Sequence, residues 1–203
     1  MNFALSPKQW LQTWYRHRVT RSPAGYLVGE TLSRLKSNLV PHPLILLASG
    51  HAELSLPDGS TVHIEERIKR LFMAHIVTCP FHYQGKTPST QVFDIKVRHT
   101  GWLKRTGVRF MTTSHHEETQ ALIARLTGDA QLTSLLMCLD FRHCHLAVAN
   151  QQWDLVVEHF SASDVVCRIP PLRRYLPLLA TQRKALLMTI LLFRQHLLHQ
   201  PSE

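Results

Sequence analysis

The chain lacks the marks by which most proteins declare themselves. None of G-x-S-x-G, Walker A, G-x-G-x-x-G or H-E-x-x-H occurs in its 203 residues, so no enzyme class that depends on those motifs is indicated. No long apolar run occurs either. The longest, residues 185–193, is interrupted by Thr189 and falls far short of the ~20 apolar residues a membrane-spanning helix needs. The opening MNFALSPKQW has no apolar h-region, and a secretory signal is not expected. Linkers, repeats and low-complexity tracts are missing as well. Cysteine is sparse: Cys79, Cys138, Cys144 and Cys167 form no C-x-x-C pair. Three of the four fall at inward-facing positions, which suggests reduced thiols in a cytoplasmic protein.

What is present is an ordinary apolar fraction, 44%, with a formal charge of +9. Such a charge implies affinity for something acidic: a protein surface, another anionic ligand, nucleic acid or anionic lipid. Lys and Arg are spread along the chain rather than collected in an arm.

Residues 1–24 read as an aromatic and basic helical segment, and 25–203 as a single α+β domain. Ser6-Pro7 resembles a helix start, with Trp10, Leu11 and Trp14 on one side of a helix to about Arg16. The stretch from Trp10 to Arg21 is then either an aromatic lid or a contact for a membrane surface or another protein. A second helix is expected over 26–39, ended by Pro41 and Pro43. Pro57-Asp58-Gly59-Ser60 marks a hairpin between Leu54–Leu56 and Thr61–Ile64. The stretch 65–70 is open between strand end and helical turn. A strand over about 74–83 carries Pro80, which implies an edge or a bulge.

Alternation marks further strands at 93–98 and from Val108. Ser114 and Glu117 have capping-box spacing and predict a helix running to Gly128, taken as its left-handed terminator. Asp129 is placed to cap a short helix to about Leu139. Strands follow at 141–149, 152–159 and 164–169. Pro170-Pro171 would open a last helix to Leu198, kinked or restarted at Pro177. Its Leu179, Leu186, Leu187, Ile190, Leu191, Phe193, Leu197 and Leu198 cover a wide apolar arc, which lies under the sheet or supports a homodimer. The expected architecture is a largely antiparallel sheet with helices packed on one face and a long C-terminal helix.

With Val62, Ile64, Phe93, Ile95, Val97, Val108, Phe110, Leu146 and Val148 pointing in, the other side carries His63, Glu65, Lys96, Arg98, Arg109, His143 and His145. Lys96, Arg98, Arg109, His143 and His145 are the candidate ligand-binding set. An RNA-stacking face is disfavoured because Phe93 and Phe110 fall on the inward register. His75-x3-Cys79-x2-His82 and Cys138 with His143-Cys144-His145 suggest metal ligands, but on strands neither group converges. In His115-His116-Glu117-Glu118 the carboxylates suit a helix N-terminus better than a metal. Glu65 and Glu66 should point to opposite faces. No catalytic residue and no cofactor is assigned.

The order of a Gly25-Tyr26 helix, a Pro-Asp-Gly hairpin, Glu65-Glu66-Arg67, a strand and a capped helix resembles an uncharacterised bacterial protein family of unassigned function, over about 25–198. The resemblance implies a bacterial cytoplasmic protein and transfers no site residue. Three functions stand at this point: a non-enzymatic binding or adaptor protein holding an acidic partner on its basic surface, a nucleic-acid binder, and an enzyme with a dispersed, metal-assisted site.

Overall fold

In a computed structural model, residues 23, 25–101 and 104–198 are described. The Ser6–Arg16 helix and the contact segment from Trp10 to Arg21 lie outside them. Helix α1 (Glu30–Leu39) buries Leu32, Leu35 and Leu39 at helical spacing. It starts four residues later than expected because Gly29 takes a left-handed φ of 82°. Glu66, far along the chain, caps it: the Gly29 and Leu32 amides donate to its carboxylate at 2.8 and 3.0 Å, and Tyr26 Oη donates at 2.7 Å. The carboxylate partner and burial push the Tyr26 hydroxyl pKa upward, burial acting most strongly.

Among the described residues twelve strands follow, in two antiparallel sheets. The large sheet contains β1 (Leu44–Leu46), β2 (His51–Ser55), β3 (Thr61–Glu65), β6 (Phe81–Lys86), β10 (Gln152–His159), β9 (Phe141–Ala149), β7 (Phe93–Thr100) and β8 (Gly107–Met111), in that order. The small sheet runs β12 (Leu172–Leu176), β11 (Ser163–Cys167), β5 (Ala74–Thr78), β4 (Arg67–Leu71). Neighbours β3, β6 and β10 of the large sheet continue directly into β4, β5 and β11 of the small one. Three adjacent strands thus turn one corner together, at Glu66, at Cys79-Pro80 and at residues 160–162.

This corner revises two expectations. The single strand over 74–83 is two strands split at Pro80, because proline has no N–H to give to a ladder. Residues 172–176 are a strand against β11 instead of the start of the last helix. The predicted hairpin is as expected, with Gly59 at φ 78° and the Ser60 amide donating to Asp58 Oδ1 at 3.1 Å.

Helices α2 (Glu117–Gly128), α3 (Ala130–Cys138) and α4 (Ala180–Leu198) cover the inner side of the large sheet. The capping box does not form. His116 is the α2 N-cap residue, and the Ser114 hydroxyl instead meets Thr119 Oγ1 at 3.1 Å. Gly128 stays inside the helix without a positive φ, since Asp129 ends α2 and starts α3 by accepting the Leu132 amide at 2.8 Å. Asp129 also meets His196 of α4 at 2.7 Å. The arc of α4 is used within the chain: Leu186, Leu187, Ile190, Phe193 and Leu197 are buried, and Phe193 meets Phe110 edge-on at 6.4 Å. Leu179 and Leu198, at the two ends of the arc, stay exposed. Of the cysteines only Cys79 and Cys144 are buried, two rather than three. Burial pushes the Cys144 thiol up to about 12.

The small sheet is attached by charge. Asp164, wholly buried, accepts from Arg173 Nε and Nη2 at 3.1 and 2.8 Å and lies 3.5 Å from Arg34. Arg173 also donates to Glu30 of α1.

Candidate functional site

The outer side of the large sheet is built in rows by strand register. One row reads Asp94, Ala147, Asp154, Gln84 across β7, β9, β10 and β6. The next reads Lys96, His145, Val156, His82, His63, Glu53. A third places His143 opposite Glu158, and Arg98 opposite Arg109. Each histidine of the middle row has an acid beside it. His145 Nε2 lies 3.4 Å from Asp94, His63 Nδ1 3.5 Å from Glu53, and His82 3.8 Å from both Glu65 and Asp154.

Lys96, Arg98 and Arg109 are exposed on this one side, as alternation requires. His143 and His145 share it. The expected cationic layer is nevertheless divided. Lys96 is 3.8 Å from Asp94, while Arg67 and Arg142 lie against the buried Glu158 at 3.9 and 3.8 Å. Arg98 and Arg109 make no ion pair or hydrogen bond among the described residues. Burial lowers the pKa of both His143 and His145; Glu158 and Asp94 respectively oppose the shift.

Sequence reasoning missed the centre of this surface. Asp154 is only 7% exposed, and neither carboxylate oxygen accepts a hydrogen bond among the described residues. Because β10 is buried on both sides, Leu155, Val156 and Val157 hide the period-two signal that would have exposed Asp154 and Glu158 as outward. Asp154 borders two hollows. A cleft of about 1020 Å³ opens at the ends of β6, β7, β9 and β10 and is closed on one side by residues 113–116. A second, of about 400 Å³, lies over His51, His63 and His82; Gln84 and Asp154 belong to both.

The wall of the larger cleft depends on one glycine. Trp153 pairs with Gly85, and a Cβ there would fall 2.5 Å from the indole. The ring is fixed by donating from Nε1 to the Lys86 carbonyl at 3.2 Å and by an edge contact with Tyr83. On the outer side Asp94 and Asp154 flank the small Ala147 on strands two apart, roughly 10 Å between backbones, while Trp153 faces the inner side in register with Val148 and Phe93.

Glu65 and Glu66 diverge as expected: Glu65 joins Arg67 on the outer side at 2.9 Å and Glu66 caps α1. The first metal string is dispersed, with His75 buried in the small sheet, Cys79 at the corner and His82 on the outer side. Among the described residues no group of three His, Cys, Asp or Glu is disposed to hold a metal ion.

No curated protein and no solved structure matches the chain. A family model does, over residues 37–197, from late in α1 to near the end of α4. The Gly25-Tyr26 part of the resemblance lies outside that match. The chain belongs to DUF3156, a family of proteins of unknown function.

Proposed function

We propose that this chain is a binding protein whose ligand is a small organic molecule presenting a cationic amine to Asp154. The observations that carry this reading are the Asp154 carboxylate, buried and without a hydrogen-bond donor among the described residues though His82 Nδ1 lies 3.8 Å away, and the place of Asp154 in the lining of the 1020 Å³ cleft. A buried carboxylate in that condition is costly, and an acceptor-only group at a cleft is completed by a donor from outside. Gln84, Gln152 and Asp94 supply further polar points, and Ala147 and Val92 supply apolar area, the usual composition of a small-molecule site.

Calorimetric titration with putrescine and agmatine tests the reading. The native chain is expected to bind at least one of them, and Asp154→Asn to bind about tenfold or more weakly. The melting temperature of Asp154→Asn should change little, because the variant removes a buried charge that accepts no hydrogen bond among the described residues and, with it, only the 3.8 Å contact to His82. No binding by the native chain, or equal binding by the variant, would overturn it.

A second reading places an acidic partner on the cationic corner of β7 and β8, with Lys96, His143 and His145 alongside. Arg98 directly opposite Arg109 favours it, since like charges across a ladder repel unless an anion bridges them. Arg98→Ser with Arg109→Ser should weaken binding of a polyanion such as heparin and flatten its salt dependence while leaving the fold intact.

A further inference from the structure

The free end of the small sheet breaks the rules for a solvent-exposed turn. Leu71 pairs with Ala74, so Phe72-Met73 forms a two-residue hairpin loop, a place usually taken by Asn-Gly. Met73 holds a left-handed φ of 57°, a conformation that favours glycine. Phe72 is 93% exposed. The turn after β11 lies at the same end, because Cys167 pairs with both Ala74 and Leu172, and the Arg168 amide donates to the Met73 carbonyl at 2.8 Å. It presents Ile169, 71% exposed, and Leu172. Two neighbouring turns therefore project apolar side chains from one edge, with an unfavourable backbone at one of them.

The charge around this tip has one sign. Lys69, Arg70, Arg168 and Arg174 are exposed beside it, and no Asp or Glu occurs in 67–76 or 165–176. We propose that this tip is a membrane-contact wedge, Phe72, Met73 and Ile169 entering the headgroup layer of an anionic bilayer while the surrounding Lys and Arg meet lipid phosphates and carboxylates. Projecting apolar residues ringed by cations suit an interface that is apolar beneath and negative above. A second copy is the poorer occupant, since two such rims would face each other with like charge. The tip is far in sequence from the segment between Trp10 and Arg21, and the proposal is independent of the Asp154 cleft.

Co-sedimentation of the full chain with vesicles tests it, using phosphatidylcholine alone and phosphatidylcholine mixed with phosphatidylserine. The native chain is expected to pellet with the mixed vesicles and to be released by salt. Phe72→Ser with Ile169→Ser should lose binding by about tenfold or more, with unchanged melting temperature and circular dichroism. Lys69→Glu with Arg168→Glu should lose it on mixed vesicles at low salt. The proposal is overturned by failure of the native chain to pellet, by equal pelleting with phosphatidylcholine alone, or by undiminished binding of the apolar double variant. It is also overturned if sedimentation shows a native dimer that this variant dissociates, which would assign the tip to a second copy.

Discussion

The large and small sheets share three continuous stretches of chain, yet they are stabilised by different means. On the large sheet, Leu155 and Val157 of β10 are sealed on the inner side by α2, α3 and α4. On the small sheet the same chain, now β11, has Asp164 at its buried position, and the ion network Arg173–Asp164–Arg34 with Glu30 joins it to α1. What stands on a sheet, rather than the strand sequence alone, decides whether it is held by apolar area or by charge. The large sheet has helices above it; the small one has a polar seam at its base and bare apolar turns at its tip.

That contrast can be broken from either side. Phe193→Ala should be the most damaging, about 3–5 kcal/mol in a denaturant melt, because a fully buried ring in α4 leaves a cavity over β8. Arg173→Ala should cost about 3 kcal/mol by leaving Asp164 buried with only Arg34 at 3.5 Å. Asp164→Asn on that background should recover part of the loss, whereas no polar substitution should rescue Phe193→Ala. If Arg173→Ala melts like the native chain, the charged seam does not hold the small sheet.

Acid should act at the corner between the two. His159, at the end of β10, sits between two backbone amides, Asp140 N at 3.0 Å from Nε2 and Ser161 N at 2.9 Å from Nδ1, and the neutral ring accepts from one of them through its single unprotonated nitrogen. An imidazolium has protons on both nitrogens and could accept neither. Burial lowers the His159 pKa to about 4, with Asp140 opposing and Arg105 assisting. The folded state therefore prefers the neutral ring and the unfolded chain takes up the proton first. This contribution is complete above pH ~6.5 and is lost as pH falls toward about 4, by roughly 2–3 kcal/mol. His75, His143 and His145, also lowered by burial, add in the same direction. His159→Gln should show a flatter dependence of melting temperature on pH between 7 and 4; an unchanged slope would assign the acid sensitivity to the other histidines.

Much of the β7, β8 and β9 surface was legible from residues alone. Alternation over Phe93, Ile95 and Val97 and over Leu146 and Val148 assigns sides without knowledge of neighbours, and Lys96, Arg98, Arg109, His143 and His145 follow on the opposite side. The Pro-Asp-Gly turn and the Asp129 cap are legible for the same reason, since each is completed within three or four residues. The capping box at Ser114 shows the limit of that reasoning: its spacing is right, but the hydroxyl has Thr119 as a partner once the chain folds.

Local pattern thus determined most of the strands and helices and which way most side chains face, because those preferences act over a few bonds. Only the tertiary structure decided that Glu66 caps a helix more than thirty residues before it, that 172–176 pairs as a strand, and that Asp154 is buried at a cleft without a hydrogen-bond partner among the described residues. Each of these depends on which groups distant in sequence arrive to supply or withhold a hydrogen bond, a quantity that short-range periodicity does not contain.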